Sequence, residues 1–180
     1  MTNPWLEAPF KDFFDYWRSL TENGSKVPEK FAFNPMRLPK DLPEIAILEL
    51  VGDDLVYRLT GTAVDARNES KLQGQPVGAE LLDPENLRGI VAGAEILHSK
   101  IFGALMGFQR AFGSGRIGNQ QMLCLPFVGP AGEKFLINRH HAPRDKASLT
   151  KLVRGTAAVT DYALFDAEGR EVVLDAVPGE

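Results

Sequence analysis

The feature that most restricts this chain is a succession of β-rich runs broken by glycine turns. Residues 44–51 and 55–62 flank Gly52-Asp53-Asp54, while 105–112, 120–128 and 133–140 are parted by Gly113-Ser114-Gly115 and Gly129-Pro130-Ala131-Gly132. Connections this short join antiparallel neighbours, because a parallel crossover needs roughly a dozen residues or more. Between the two groups, Gly74, Pro76 and Gly78 punctuate residues 63–82, which suits short helices and loops. Asp83-Pro84 then supplies an N-cap and a first-turn proline for a helix whose apolar seam runs through Leu87, Ile90, Val91, Ala94, Leu97, His98, Ile101 and Leu105. The order ββ, short helices, long helix, βββ predicts an α+β domain: a five-stranded antiparallel sheet with helices gathered on one face.

Both ends add to this unit. Trp5, Leu6, Phe10, Phe13, Phe14, Trp17 and Leu20 recur at helical spacing and predict an amphipathic helix that stops near Asn23-Gly24. Pro28, Pro35, Pro39 and Pro43 then allow only an extended connector with short turns. After Pro143 the pattern predicts a short helix through Lys151 and Val153. A hairpin of residues 162–165 and 171–174 follows, turning at Ala167-Glu168-Gly169 and lying outside the five strands. The expected division is therefore 1–27 for the amino-terminal helix, 28–142 for the central domain and 143–180 for the carboxy-terminal extension. Trp5, Phe10, Phe13, Phe14 and Trp17 exceed what one side of a small sheet usually needs, and they predict a homodimer contact. Packing on the chain's own sheet is the competing reading.

Composition narrows function mainly by exclusion. With 20 Lys and Arg against 24 Asp and Glu, a net charge of −4 offers no global field for nucleic acid. Nowhere do ~20 consecutive apolar residues predict a membrane span. The single cysteine, Cys124, excludes an internal disulfide and fits a cytoplasmic protein. His140-His141 cannot both face one metal from a strand, so no metal site is expected. Gly113 to Gly118 has the spacing of a dinucleotide fingerprint, but it joins two strands instead of opening a helix and reads as a hairpin loop. No nucleophile elbow, phosphate loop or metalloprotease helix occurs, so the chain is not read as an enzyme. Residues 139–154 are rich in Lys and Arg and 161–180 in Asp and Glu; two solvated faces are the simpler reading, with charge-guided docking as the functional one.

Several segments carry a resemblance. Tyr16-Trp17, Pro35 through Leu42-Pro43, the run from Tyr57 to Thr62, Gly74-Gln75-Pro76 and the run from Leu123 to Phe127 fall, over roughly 13–128, in the order found in a bacterial PAS family. The chain resembles a PAS domain. Val64 to Leu72 is more polar than the helix the resemblance implies there. The resemblance implies a non-catalytic sensory or protein-interaction module that signals to a separate protein, with a possible small ligand between sheet and helices. A small-molecule carrier, or an enzyme with its pocket under the helices, is the alternative.

Five residues are ligand candidates. His98 lies where haem-binding PAS domains supply an axial imidazole, although a lone His on an apolar seam is ordinarily hydrogen-bonded core; haem stays a minor reading and no cofactor is expected. Cys124 lacks the context of a flavin adduct and reads as a buried small hydrophobe, or at most a pocket wall. Arg58 could clamp an acidic ligand or bridge to a nearby carboxylate. Gln109 and Gln121 are possible pocket donors, with Arg110 and Gln120 beside them, or else cross-strand polar pairs.

Overall fold

The glycine turns at Gly52, Gly115 and Gly132 each close a hairpin in the computed structural model of the chain, which describes residues 9–77, 84–111, 114–142 and 157–173. β1 (Ile45–Val51) and β2 (Asp54–Thr60) pair about Gly52, while β3 (Gly103–Ala111), β4 (Ile117–Val128) and β5 (Lys134–His141) form a continuous meander. Gly52, Gly115 and Gly132 have φ of 60°, 87° and 88°, the left-handed geometry that glycine adopts without a Cβ penalty. α2 (Thr62–Asn68) and α3 (Pro84–Lys100) fill the connection between the two groups. The predicted cap Asp83 and the predicted helix through Lys151 and Val153 lie outside the described residues. No helix among those described is long and apolar enough to cross a membrane.

The sheet has seven strands, not five, in the order β2-β1-β5-β4-β3-β6-β7, antiparallel throughout. β6 (Ala157–Phe165) pairs with β3 from Gly103↔Phe165 to Arg110↔Ala157, and β7 (Glu171–Val172) pairs with β6. The terminal hairpin, expected outside the five strands, is thus part of the sheet. Without it β3 would leave a nine-residue row of backbone groups open at an edge. At the other edge, β2 is covered by the segment after α2: Tyr57 N–H donates to Gln75 O at 3.0 Å, and Val77 N–H donates to Leu55 O.

Helices cover both faces, not one. Along β4, Leu123, Leu125 and Phe127 point to one side and Met122 and Cys124 to the other, and β3 and β5 alternate in step. Strands apolar on both faces need cover on both. α3 supplies one cover through Ala94 and Leu97. α1 (Lys11–Leu20) and the proline-rich connector supply the other, with Phe33 of the connector lying between Tyr16, tilted against it, and Phe127, which it meets edge-on. Phe10, Phe13, Phe14 and Trp17 are between 0 and 3% exposed, and Trp17 Nε1 donates to Pro126 O at 3.0 Å. The predicted dimer contact is corrected accordingly: these four rings are used within the chain, because the outer sheet face needs their area. Trp5 lies outside the described residues.

Gly61, the N-cap of α2, marks a close approach to the connector. Its N–H donates to Ile45 O at 2.7 Å, and an added Cβ would collide with the carbonyl oxygens of Leu42 and Pro43. Gly61→Ala should lower stability by about 1–3 kcal/mol, since the obstacles are backbone atoms that cannot rotate away. A urea midpoint equal to wild type would contradict that packing.

Candidate functional site

Under α3 the inner sheet face is apolar, with Leu48, Leu55, Ala104, Cys124 and Leu136 in contact with the helix or one another. Further along the same face it becomes polar. Strand alternation brings Arg110 of β3, Gln120 of β4, and Asn138 and His140 of β5 to this side, with Met106 and Met122 between them. Cys124 sits opposite Asn138, Met122 opposite His140, and Gln120 lies one pair further along β4, diagonal to His140. Gln120, Asn138 and His140 are 3%, 1% and 5% exposed. Asn138 Nδ2 donates to Met122 Sδ at 3.2 Å, a weak acceptor. Gln120 Nε2, Asn138 Oδ1 and both ring nitrogens of His140 have no hydrogen-bond partner among the described residues.

α2 lies beside this cluster, with Arg67 acting on His140, and is tied down twice at its C-terminal end. Arg67 Nη1 donates to Glu44 Oε1 at 2.8 Å and Nη2 pairs with Oε2, a two-pronged contact to the start of β1. Glu69, in the left-handed region at φ 57°, ends the helix and accepts from Ser114 N–H (3.1 Å) and Ser114 Oγ (2.7 Å) in the β3–β4 turn. Burial disfavours the Glu44 carboxylate, but Arg67 and then Arg139 hold its pKa below the ordinary value. His140 is pushed down to about 4, first by burial and then by Arg67, Arg139 and Arg110, against which Glu44 acts in the opposite sense. The imidazole is therefore neutral at pH 7, in a region where guanidinium charge dominates. Burial likewise raises Tyr57 and takes the Cys124 thiol up to about 12, so the sulfur is protonated and a poor nucleophile. Among the described residues no group of three or more His, Cys, Asp or Glu side chains could hold a metal ion.

The PAS domain profile aligns with residues 6–138 of the chain. The chain belongs to the PAS domain family. A solved structure of a PAS domain from a Colwellia psychrerythraea protein is similar at 18% identity and a TM-score of 0.40, with 61% of this chain and 98% of that chain covered. No curated protein matches. PAS domains are in general sensory or interaction modules, and the α+β antiparallel architecture is that of the family.

The five ligand candidates do not converge in this PAS domain. Only Cys124 borders the polar cluster. His98, also on the α3 side, sits at the other end of the sheet and acts as a clasp. Its Nδ1 lies 2.7 Å from Ala94 O, and its Nε2 lies 3.1 and 3.0 Å from Phe127 O and Phe135 O on the β4–β5 hairpin. Arg58 is on an exposed strand face and pairs with Glu49. Gln109 donates to Asn119 Oδ1 at 3.0 Å on the α1 side, the face that Gln121 also takes by alternation. The residues that do converge are one position away, Arg110 and Gln120, joined by Asn138 and His140. A polar Asn-x-His at alternate positions after the apolar run Phe135 to Ile137 was the available signal.

Proposed function

We propose that this PAS domain is a non-catalytic cytoplasmic sensor that takes a small ligand on Arg110, Gln120, Asn138 and His140 and reports occupancy to a separate protein by contact. One observation carries the reading: three side chains, each at least nine-tenths buried, share one sheet face with hydrogen-bonding atoms left open. A buried polar atom without a partner costs about 1–3 kcal/mol, and buried groups are otherwise nearly always satisfied. A bound molecule would supply the missing bonds. α2 is the element through which occupancy acts, because Arg67 in its last turn neighbours His140 while its C-cap Glu69 is fastened to the surface-exposed β3–β4 turn through Ser114. Neither His98, engaged by backbone carbonyls, nor the protonated Cys124 takes part in cofactor chemistry in this reading.

Native mass spectrometry after gentle purification tests it. The expected result is a colourless protein carrying a small-molecule mass that Asn138→Leu combined with His140→Leu removes. A wild-type protein with only its polypeptide mass, and no small molecule released on denaturation, would overturn ligand sensing.

A further inference from the structure

We propose that the connector stretch 30–40 is the docking surface for a separate protein, which meets it through a segment carrying carboxylates beside one or two large apolar side chains. The inference rests on the contact-signalling part of the reading above and names its surface and its partner.

Two side chains depart from the packing around them. Phe10, Phe13, Phe14 and Phe33 are between 0 and 8% exposed in the layer over the sheet, yet Phe31 is 74% and Met36 69% exposed. Each is the middle residue of a single 3-10 turn, Lys30–Ala32 and Pro35–Arg37. Tyr16 of α1 fixes the link between the turns. Its hydroxyl donates to Ala32 O at 3.2 Å and accepts from Asn34 N–H at 2.8 Å, while Asn34 Oδ1 accepts from Met36 N–H at 3.0 Å. Five residues span at most about 17 Å, so both side chains fit within the roughly 800 Å² that one partner presents in a standard interface. Single exposed apolar residues are ordinary, but a pair held on fixed turns can be buried by a partner at little ordering cost.

Charge sets the partner's chemistry. Residues 30–40 contain Lys30, Arg37 and Lys40 and no carboxylate. None of the three forms an ion pair among the described residues; Lys30 Nζ lies 4.1 Å from the centre of the Phe135 ring and the Arg37 guanidinium 5.0 Å from that of Tyr16. Of the acids at the two ends, Asp41 is taken by Arg139 at 3.0 Å and Glu29 acts on Lys26. The stretch is thus cationic and apolar on a chain of net charge −4. A second copy meeting it across a two-fold axis would set the same cations against each other. An anionic lipid surface has no use for two projections at fixed spacing and repels the negative remainder of the protein. An acidic segment with apolar anchors answers both features, and Phe, Met and Arg are residue types enriched in protein interfaces. The same stretch ends at the polar cluster: Asp41 pairs with Arg139, whose Nη1 donates to His140 O at 2.8 Å. Occupancy of the cluster and capture of the connector therefore bear on one largely buried ion pair.

The test selects peptides of about twelve residues from a random phage library on the immobilised full chain and measures them by fluorescence anisotropy. The selected peptides should be rich in Asp and Glu with at least one large apolar residue. Phe31→Ser combined with Met36→Ser, and Arg37→Glu alone, should each weaken them about ten-fold or more, with circular dichroism and thermal unfolding as in wild type. Lys40→Glu, which disturbs no ring contact, should weaken them in the same direction if Arg37→Glu alters the fold. Raising salt from about 50 to about 300 mM should weaken binding several-fold. Peptides without acidic enrichment, or affinities unchanged in the double serine variant or in both charge variants, would overturn the proposal. So would binding to phosphatidylcholine vesicles with about 30% phosphatidylglycerol that the same variants abolish, which makes the patch a membrane contact. A wild-type dimer that Phe31→Ser with Met36→Ser dissolves would assign it to a second copy and overturn it equally. Should no peptide be selected while native mass spectrometry finds a retained molecule, this surface falls and ligand sensing stands. Should the protein also carry no molecule, both fall.

Discussion

Phe13→Glu is expected to yield no native baseline in urea at 25 °C, whereas Phe13→Ala remains folded but loses about 3–5 kcal/mol. Phe13 is completely buried beneath α1, edge-on to Phe33 with ring centroids 6.1 Å apart, in the cluster that includes Leu125, Phe127 and Ile137. Alanine forfeits transfer energy and leaves a cavity. Glutamate adds a carboxylate with no partner in an apolar layer, a cost of several kcal/mol more even if it takes up a proton. A domain of this size is typically stable by only about 5–15 kcal/mol, so the sum consumes most or all of the margin. The same experiment separates core from interface. Were Phe13 a contact between two copies, the glutamate variant would be a folded protein of smaller size with near wild-type thermal stability. Light scattering combined with near-ultraviolet circular dichroism reads both properties, and that outcome would remove α1 from the core.

What could be read in advance followed from local chemistry, and what could not followed from tertiary choice. Glycine at the tight turns and apolar runs between them located β1 to β5 to within about three residues, because both signals act over a few bonds. The α1 periodicity showed which side of the helix is buried but not what it is buried against, since a sheet with two apolar faces and a partner copy make the same demand on Phe13 and Trp17. β6 escaped notice at its start because Ala157 and Ala158 bring little β propensity; their strand conformation depends on pairing with Arg110 and Gln109 across the edge. The site was missed for a similar reason. Gln120-Gln121 lies where β4 is still polar, so nothing local reveals which of the two faces the helices, and a one-residue slip exchanges the faces. His140-His141 did carry the correct physics: one ring enters the polar cluster, and the other meets Phe10 edge-on at 6.2 Å on the opposite face. What sequence could not show is that neither ring nitrogen of His140 has a hydrogen-bond partner among the described residues, which depends on all the strands around it.

That isolation has a measurable consequence for acid sensitivity. His140 has its pKa lowered from 6.5 to about 4 in the folded protein, by burial first and then by Arg67, Arg139 and Arg110, with Glu44 opposing. Below pH 6.5 the unfolded chain takes up a proton at this residue while the folded chain does not, so unfolding gains from every further drop in pH. The contribution is fully present above pH 6.5, is lost as pH falls, and levels off below about 4, where both states are protonated. The whole span amounts to on the order of 3 kcal/mol, of which about 2 should be lost between pH 7 and pH 5. Glu44 does not confuse this interval: its lowered carboxylate pKa protects the fold above its ordinary value of 4.5 and fails only in stronger acid. His141, half-buried and also shifted down by burial and by Arg139, adds a smaller slope of the same sign. His140→Leu should therefore flatten the stability profile between pH 7 and pH 5 to the residue left by His141. It should cost little at pH 7, because an imidazole without partners gives up no hydrogen bond. Urea titrations of both proteins at half-unit pH steps measure this directly. If the leucine variant keeps the wild-type slope, His140 is not buried and neutral in the folded protein, and the arrangement of open polar atoms on β4 and β5 is wrong.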